Sequence, residues 1–128
     1  MHVTAYLKRF NPFEEHGNIW IKANRKNLKN ILKELKSIGV HRISSITGVD
    51  VGKNIEVIYH LIHKHRTINI RVSVDKRKNE IETITDIYPG ADLFERELME
   101  MLGLVVKGHP NPKKLFLDED SPQHPLRR

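Results

Sequence analysis

The chain has 128 residues, 38% hydrophobic and 30% charged, which suits one globular domain and is too short for two of ordinary size. It has no cysteine, which excludes disulfides, thiolate zinc sites and cysteine-ligated iron–sulfur clusters within it. The net charge of +6 is uneven: residues 1–64 carry eleven Lys/Arg against five Asp/Glu, and residues 65–128 carry eleven against eleven.

Residues 3–10 (VTAYLKRF) and 18–23 (NIWIKA) read as short strands parted by the turn-like NPFEEHGN. Nothing in the first residues resembles the apolar core of a signal peptide, so a cytoplasmic location is expected. The longest apolar run, LGLVV at 102–106, is far below the roughly 20 residues of a membrane span. Arg25 to Ile38 is a helix, because Leu28, Ile31, Leu32, Leu35 and Ile38 share one face. Asn24 can cap its start and Gly39 close its end. Beside the apolar face runs a basic stripe of Arg25, Lys26, Lys29, Lys33 and Lys36. Such a stripe fits nucleic acid, an anionic surface or plain solvation.

Strands follow at 41–49, 54–63, 67–74 and 80–86. The second alternates Ile55, Val57, Tyr59 and Leu61 with Glu56, Ile58, His60 and Ile62, and the third alternates Ile68, Ile70, Val72 and Val74 with Asn69, Arg71 and Ser73. His63-Lys64-His65-Arg66 and Asp75 to Asn79 are read as hairpin turns. Connections this short cannot hold a crossover helix, so the sheet is expected to be an antiparallel meander. Tyr88-Pro89-Gly90 breaks the pattern, and a second helix runs from Ala91 or Asp92 to Leu102 with Phe94, Leu98, Met101 and Leu102 inward, stopped by Gly103. Beyond it Pro110, Pro112, Pro122 and Pro125 favour an extended path in which only Lys114 to Leu117 offers apolar anchors. The expected fold is α+β, a two-layer domain with an antiparallel sheet covered by two helices and an extended C-terminal arm over residues 104–128.

Several clusters invite chemistry. His60, His63 and His65 sit among Lys and Arg and do not converge on one strand face, so a metal site there is disfavoured. Asp92, Glu95, Glu97 and Glu100 surround Arg96 on the last helix, with Asp92, Glu95 and Glu100 expected on the side away from the core. Acid–base catalysis would need a cleft and a substrate wall, and neither is legible. A hydrolase built on Glu97 and a histidine is a weak third reading. The His109-Pro110 and His124-Pro125 pairs, each followed by basic residues, suit docking on a partner.

At these residues the chain resembles the thirty-kilodalton subunit family of respiratory complex I, which includes the matching subunits of membrane-bound energy-converting hydrogenases. The resemblance rests on TDIYPGADLFERELMEMLGL, then GHPNPKKLFLDED, then HPLRR, spanning roughly residues 84–128. Ala91, Phe94, Glu95-Arg96-Glu97, Met101, Gly103, Gly108-His109-Pro110, Leu115, Leu117, Asp120 and His124-Pro125-Leu126-Arg127 fall on the family pattern. Phe94, Glu100 and Leu102 stand where Trp or Tyr, Asp and Phe are more usual, and Ser121-Pro122-Gln123 lacks a frequent aromatic and glycine.

The resemblance implies one domain over residues 1–128, without a catalytic site, cofactor or metal of its own. It implies an assembly subunit in the electron-transfer arm of a membrane-bound oxidoreductase or energy-converting NiFe hydrogenase. Its partners would be the hydrogenase-large-subunit-like chain and neighbouring iron–sulfur subunits, on the cytoplasmic side, with membrane contact only through the complex. In some members this domain precedes a fused larger one, an arrangement that the end at Arg128 fits. Glu95, Arg96, Glu97, Glu100, His109, Pro110, His124, Pro125 and Arg127 would face the partner. The alternative, from the basic first half, is a free-standing RNA-binding module, with no nucleic acid expected under the family reading.

Overall fold

The computed structural model describes residues 3–110. The chain opens with helix α1 (Val3–Leu7) and a 3₁₀ turn (Lys8–Phe10), then β1 (Phe13–Glu15), β2 (Asn18–Ala23), α2 (Leu28–Ser37), β3 (Arg42–Asp50), β4 (Asn54–His63), β5 (Arg66–Asp75) and β6 (Glu80–Glu82). A second 3₁₀ turn (Pro89–Ala91) leads into α3 (Asp92–Leu102), and β7 (Val105–Lys107) follows. This is an α+β fold with a five-stranded sheet in the order β1-β2-β5-β4-β3 and a separate β6-β7 pair.

The sheet is not a pure meander. β3-β4-β5 are antiparallel neighbours, as their short connections require, but β2 lies parallel to β5, pairing Trp20 with Asn69 and Lys22 with Arg71. The crossover is α2 itself, which carries the chain from β2 to the far edge of the sheet so that the meander returns beside β2. The β1-β2 hairpin closes through His16 and Gly17, both at positive φ (51° and 83°), as a tight two-residue turn requires.

Residues 3–10 form a helix and a 3₁₀ turn rather than a strand. Val3, Tyr6 and Leu7 bury the i, i+3, i+4 side while Ala5 is exposed, and Asn11 in the left-handed region (φ 50°) stops the turn. In so short a window the two periods compete, and burial against the core decides. Leu28, Ile31, Leu32 and Leu35 of α2 join Val57, Tyr59, Leu61, Ile68, Ile70 and Val72 of the sheet in one continuous core. Asn24 and Asn27 exchange backbone-to-side-chain hydrogen bonds at 2.8 and 2.9 Å ahead of α2. Gly39, at φ 112°, lies just beyond the helix end, where the left-handed conformation suits glycine.

Helix α3 packs on the same face of the sheet, against β3. Gly48 permits this: a Cβ there would stand 2.3 Å from Leu102 Cδ1 and 2.7 Å from Leu98 Cδ2. The segment expected as a strand to residue 86 pairs only over Glu80–Glu82, and its partner is β7, in parallel, rather than β5. Asp75–Asn79 is therefore a turn out of the sheet and not a hairpin. Residues 104–107, assigned from sequence to the arm, belong to the domain, since Leu104 and Val106 are buried and β7 is paired. The rest of the expected arm, from residue 111, lies outside the described residues.

Candidate functional site

Three elements meet around the start of α3. Ala91, Glu95, Leu98 and Leu102 follow the i, i+4, i+7, i+11 spacing of one helix face, and all four are buried. Glu95 is thus a carboxylate inside an apolar stripe, only 1% exposed. It is held by the loop after β6: Thr83 Oγ1 donates to Oε1 at 2.6 Å, and the Ile84 backbone N–H donates to Oε2 at 2.8 Å. Thr83 also receives the Thr85 N–H at 3.1 Å. The Ile84 carbonyl accepts the N–H groups of Ile87 and Tyr88, at 2.9 and 2.8 Å, so Glu95 stabilises a turn that brings the chain into α3.

His109 closes the cluster from the other side. Its side chain is 0% exposed, and its Nε2 lies 3.1 Å from the Asp92 carbonyl oxygen, 3.0 Å from Asp92 Oδ1 and 3.9 Å from Glu95 Oε1. Gly108, at φ 82°, makes the turn after β7 that aims His109 inward. Burial pushes the Glu95 carboxyl above its ordinary value of 4.5, against the opposing pull of the Thr83 and Ile84 hydrogen bonds and of His109.

The basic stripe of α2 serves the same loop. Arg25 reaches both carboxylate oxygens of Glu82, Lys29 Nζ lies 2.8 Å from Asp86 Oδ2, and Lys36 donates to the Ile87 carbonyl. Lys26 and Lys33 are exposed. Much of the charge that suggested an anionic partner therefore ties α2 to the segment leading into α3.

The expectation that Asp92, Glu95 and Glu100 share a solvated face is corrected. Glu95 is buried as described and Glu100 is 3% exposed; only the Asp92 side chain, at 40%, is open to solvent. The signal in the sequence is an acid spaced with Ala91, Leu98 and Leu102, whereas Phe94, the expected inward position, is only half-buried. Arg96 and Glu97 are half-buried and Pro110 is exposed. His109, like Glu95, is inside the domain and not on its surface. His124, Pro125 and Arg127 lie outside the described residues. His60 spans the other face of the sheet, with Nδ1 2.6 Å from Asn69 Oδ1 and Nε2 2.9 Å from Thr47 Oγ1. Among the described residues no group of three or more His, Asp or Glu is arranged to hold a metal ion, and no helix is long and apolar enough to cross a membrane.

Known proteins show what this arrangement is similar to. The model of the family described as respiratory-chain NADH dehydrogenase, 30 Kd subunit, matches residues 21–128. A subunit of the NADH-quinone oxidoreductase of Roseiflexus castenholzii is 33% identical over 108 residues, covering 80% of this chain and 62% of that protein. Subunit 5 of the Thermus thermophilus NADH-quinone oxidoreductase is 28% identical over 133 residues, covering 91% of this chain and 64% of that one. The chain thus spans less than two thirds of the length of these relatives. Two solved structures share the fold. The trypsin-resistant fragment (1-134) of Nqo5 gives a TM-score of 0.76 at 23% identity, covering 87% of this chain and 99% of that one. A chain of the membrane-bound sulfane sulfur reductase, described as an archaeal respiratory membrane complex, gives 0.81 at 22% identity, covering 98% and 81%.

Proposed function

The chain belongs to the family of the respiratory-chain NADH dehydrogenase 30 kDa subunit, and from that premise we propose that it is an assembly subunit of a complex I-like membrane-bound oxidoreductase or energy-converting hydrogenase. It has no catalytic role of its own in this reading. It docks on a hydrogenase-large-subunit-like chain, near the iron–sulfur subunits, as a peripheral part of the complex on the cytoplasmic side.

The observation that carries the reading is the lock between α3 and the chain leaving β7. Glu95 and His109 both fall on the family motif, and they bind the loop after β6, the start of α3 and Gly108-His109-Pro110 into one unit. A domain that spends a buried carboxylate and a buried histidine there sets the direction in which the following segment leaves it. Glu95 and His109 are then positioning residues behind the docking surface. Arg96, Glu97 and Pro110 face the partner directly, continued by His124, Pro125 and Arg127.

The test is co-purification of the Arg96→Ala variant with a hydrogenase-large-subunit-like chain from the same source. Removing one partner of an interfacial charge pair costs about 2–5 kcal/mol, so the yield of complex should fall while the free subunit stays folded. Undiminished complex yield would overturn the assignment of this helix to the interface.

A further inference from the structure

A recess of about 200 Å³ opens where the chain turns into α3. Lys36 near the end of α2, His41 and Arg42 at the start of β3, and Tyr88, Pro89 and Gly90 line it. Tyr88 Oη donates to the Val40 carbonyl at 2.7 Å, which fixes the loop after α2 against the 3₁₀ turn. Lys36 donates to the Ile87 carbonyl, and its Nζ lies 5.7 Å from the Tyr88 ring centroid. A carbonyl and a ring face hold the ammonium group without cancelling its charge. His41 and Arg42 are exposed and make no ion pair among the described residues. The carboxylates closest along the chain to the 3₁₀ turn have other cations: Asp86 Oδ2 lies 2.8 Å from Lys29 Nζ, and Asp92 Oδ1 lies 3.0 Å from His109 Nε2. No Asp or Glu occurs at 35–49 or 57–74, the segments that form this end of the sheet. The β4-β5 turn borders it too, with His63 Cε1 3.8 Å from where a Gly39 Cβ would stand, and adds the exposed Lys64.

Resting on the docking reading given above, we propose that this recess receives a carboxylate side chain of the partner that seats on α3, held by Lys36 and Arg42 with His41 beside them. The charge decides the class. Lys36 and Arg42 are two cations with no carboxylate among the described lining residues, so an acidic group gains there what a neutral or basic one cannot. The volume decides the scale. It is below the roughly 300 Å³ of a small-molecule site, and it suits a side chain carried by a larger partner. The position decides the partner. Tyr88, Pro89 and Gly90 lie immediately before α3 and within the residues that the family model matches, so a chain seated on α3 reaches the recess without a separate contact.

A carbodiimide joins an amine to a carboxylate only where the two touch, so it reads the contact directly. The probe is the complex with the hydrogenase-large-subunit-like chain, treated with a water-soluble carbodiimide and mapped by mass spectrometry. It is made with the wild type and with Arg42→Lys, which keeps the charge and supplies a second amine. The expected result is an amide between Lys36 and an Asp or Glu of the partner, joined in the variant by one from position 42. Arg42→Glu, at an exposed site without an ion pair, should leave the free chain folded and raise the dissociation constant of the complex at least about tenfold. A complex that forms but gives neither cross-link, or that Arg42→Glu joins equally well, would overturn the proposal and leave the docking of α3 standing. A complex indifferent to Arg96→Ala would count against that docking instead. Two further results would overturn the proposal by assigning another occupant. One is coupling of Lys36 to Asp118, Glu119 or Asp120 of the same chain. The other is binding of the free chain to phosphatidylglycerol vesicles that Arg42→Glu abolishes, which would give the cations to a lipid surface.

Discussion

Replacing Glu95 by alanine tests the cluster that holds α3 to the loop after β6. The substitution removes acceptors at 2.6 Å from Thr83 Oγ1 and 2.8 Å from the Ile84 N–H. The Thr83 O–H can turn to Thr85 Oγ1, 2.8 Å away, so the stranded group is the Ile84 amide. A buried donor without a partner costs about 1–3 kcal/mol, and a hydrogen bond to a charged acceptor is worth about 1.5–3 kcal/mol. Part of that loss is offset, because the variant no longer desolvates a carboxylate. A net loss of about 2–4 kcal/mol follows. For a domain of this size each kcal/mol is worth roughly 3–6 °C, so the melting temperature should fall by roughly 6–24 °C. Glu95→Gln retains one acceptor and should lose less.

The pH dependence gives a second, independent sign. Burial raises the folded-state pKa of Glu95 above the unfolded value, so its stabilisation is fully present below about pH 4.5 and is lost as pH rises through the raised value. The stability gap between wild type and Glu95→Gln should therefore narrow from about pH 4 to about pH 7. Thermal unfolding followed by circular dichroism across that range measures both effects. A fall of less than about 2 °C for Glu95→Ala, or a gap that widens with pH, would refute the reasoning.

Gly48→Val should destabilise by about 1–3 kcal/mol, because Leu98 and Leu102 must move to admit a Cβ. Urea unfolding gives the magnitude, amide exchange in α3 the location, and an unchanged midpoint would remove the close approach from the account. Glu82 and Asp86 titrate in the opposite sense to Glu95. The hydrogen bond from Arg25 holds Glu82 below 4.5 and that from Lys29 holds Asp86 below 3.8, so their stabilisation is present above those values and lost as pH falls through the lowered ones. Both carboxylates are well exposed, and the pair together should contribute about 1 kcal/mol or less. The double variant Glu82→Gln, Asp86→Asn should flatten the acid side of the stability profile by that amount, and a steeper acid limb would contradict the ion pairs.

The residue pattern carried further for some elements than for others. β4 appears where the alternation of Ile55, Val57, Tyr59 and Leu61 put it, and α2 and α3 within a few residues of their apolar periods. Those segments are long enough for one period to outweigh the other. Residues 3–10 are too short for that, and they fold as a helix because Val3, Tyr6 and Leu7 reach the core together. The pairing of β6 with β7 had no local signal, since a parallel pair joined through α3 depends on where the helix returns the chain.

The candidate site divides in the same way. The motif around Glu95-Arg96-Glu97 and Gly108-His109-Pro110 was legible as a run of residue types at fixed spacing, and it identified the family. Which of those side chains face inward was not. Glu95 and Arg96 are neighbours in sequence and about 100° apart on the helix, so one meets Thr83 and Ile84 while the other turns outward. By itself the sequence determined the composition of the core, the periods of its long elements and the family to which the chain belongs. Only the tertiary structure decided that a carboxylate and a histidine would be buried. A polar group can be stable inside only where distant segments supply its hydrogen bonds, and those partners, Thr83, Ile84 and Asp92, come together through folding alone.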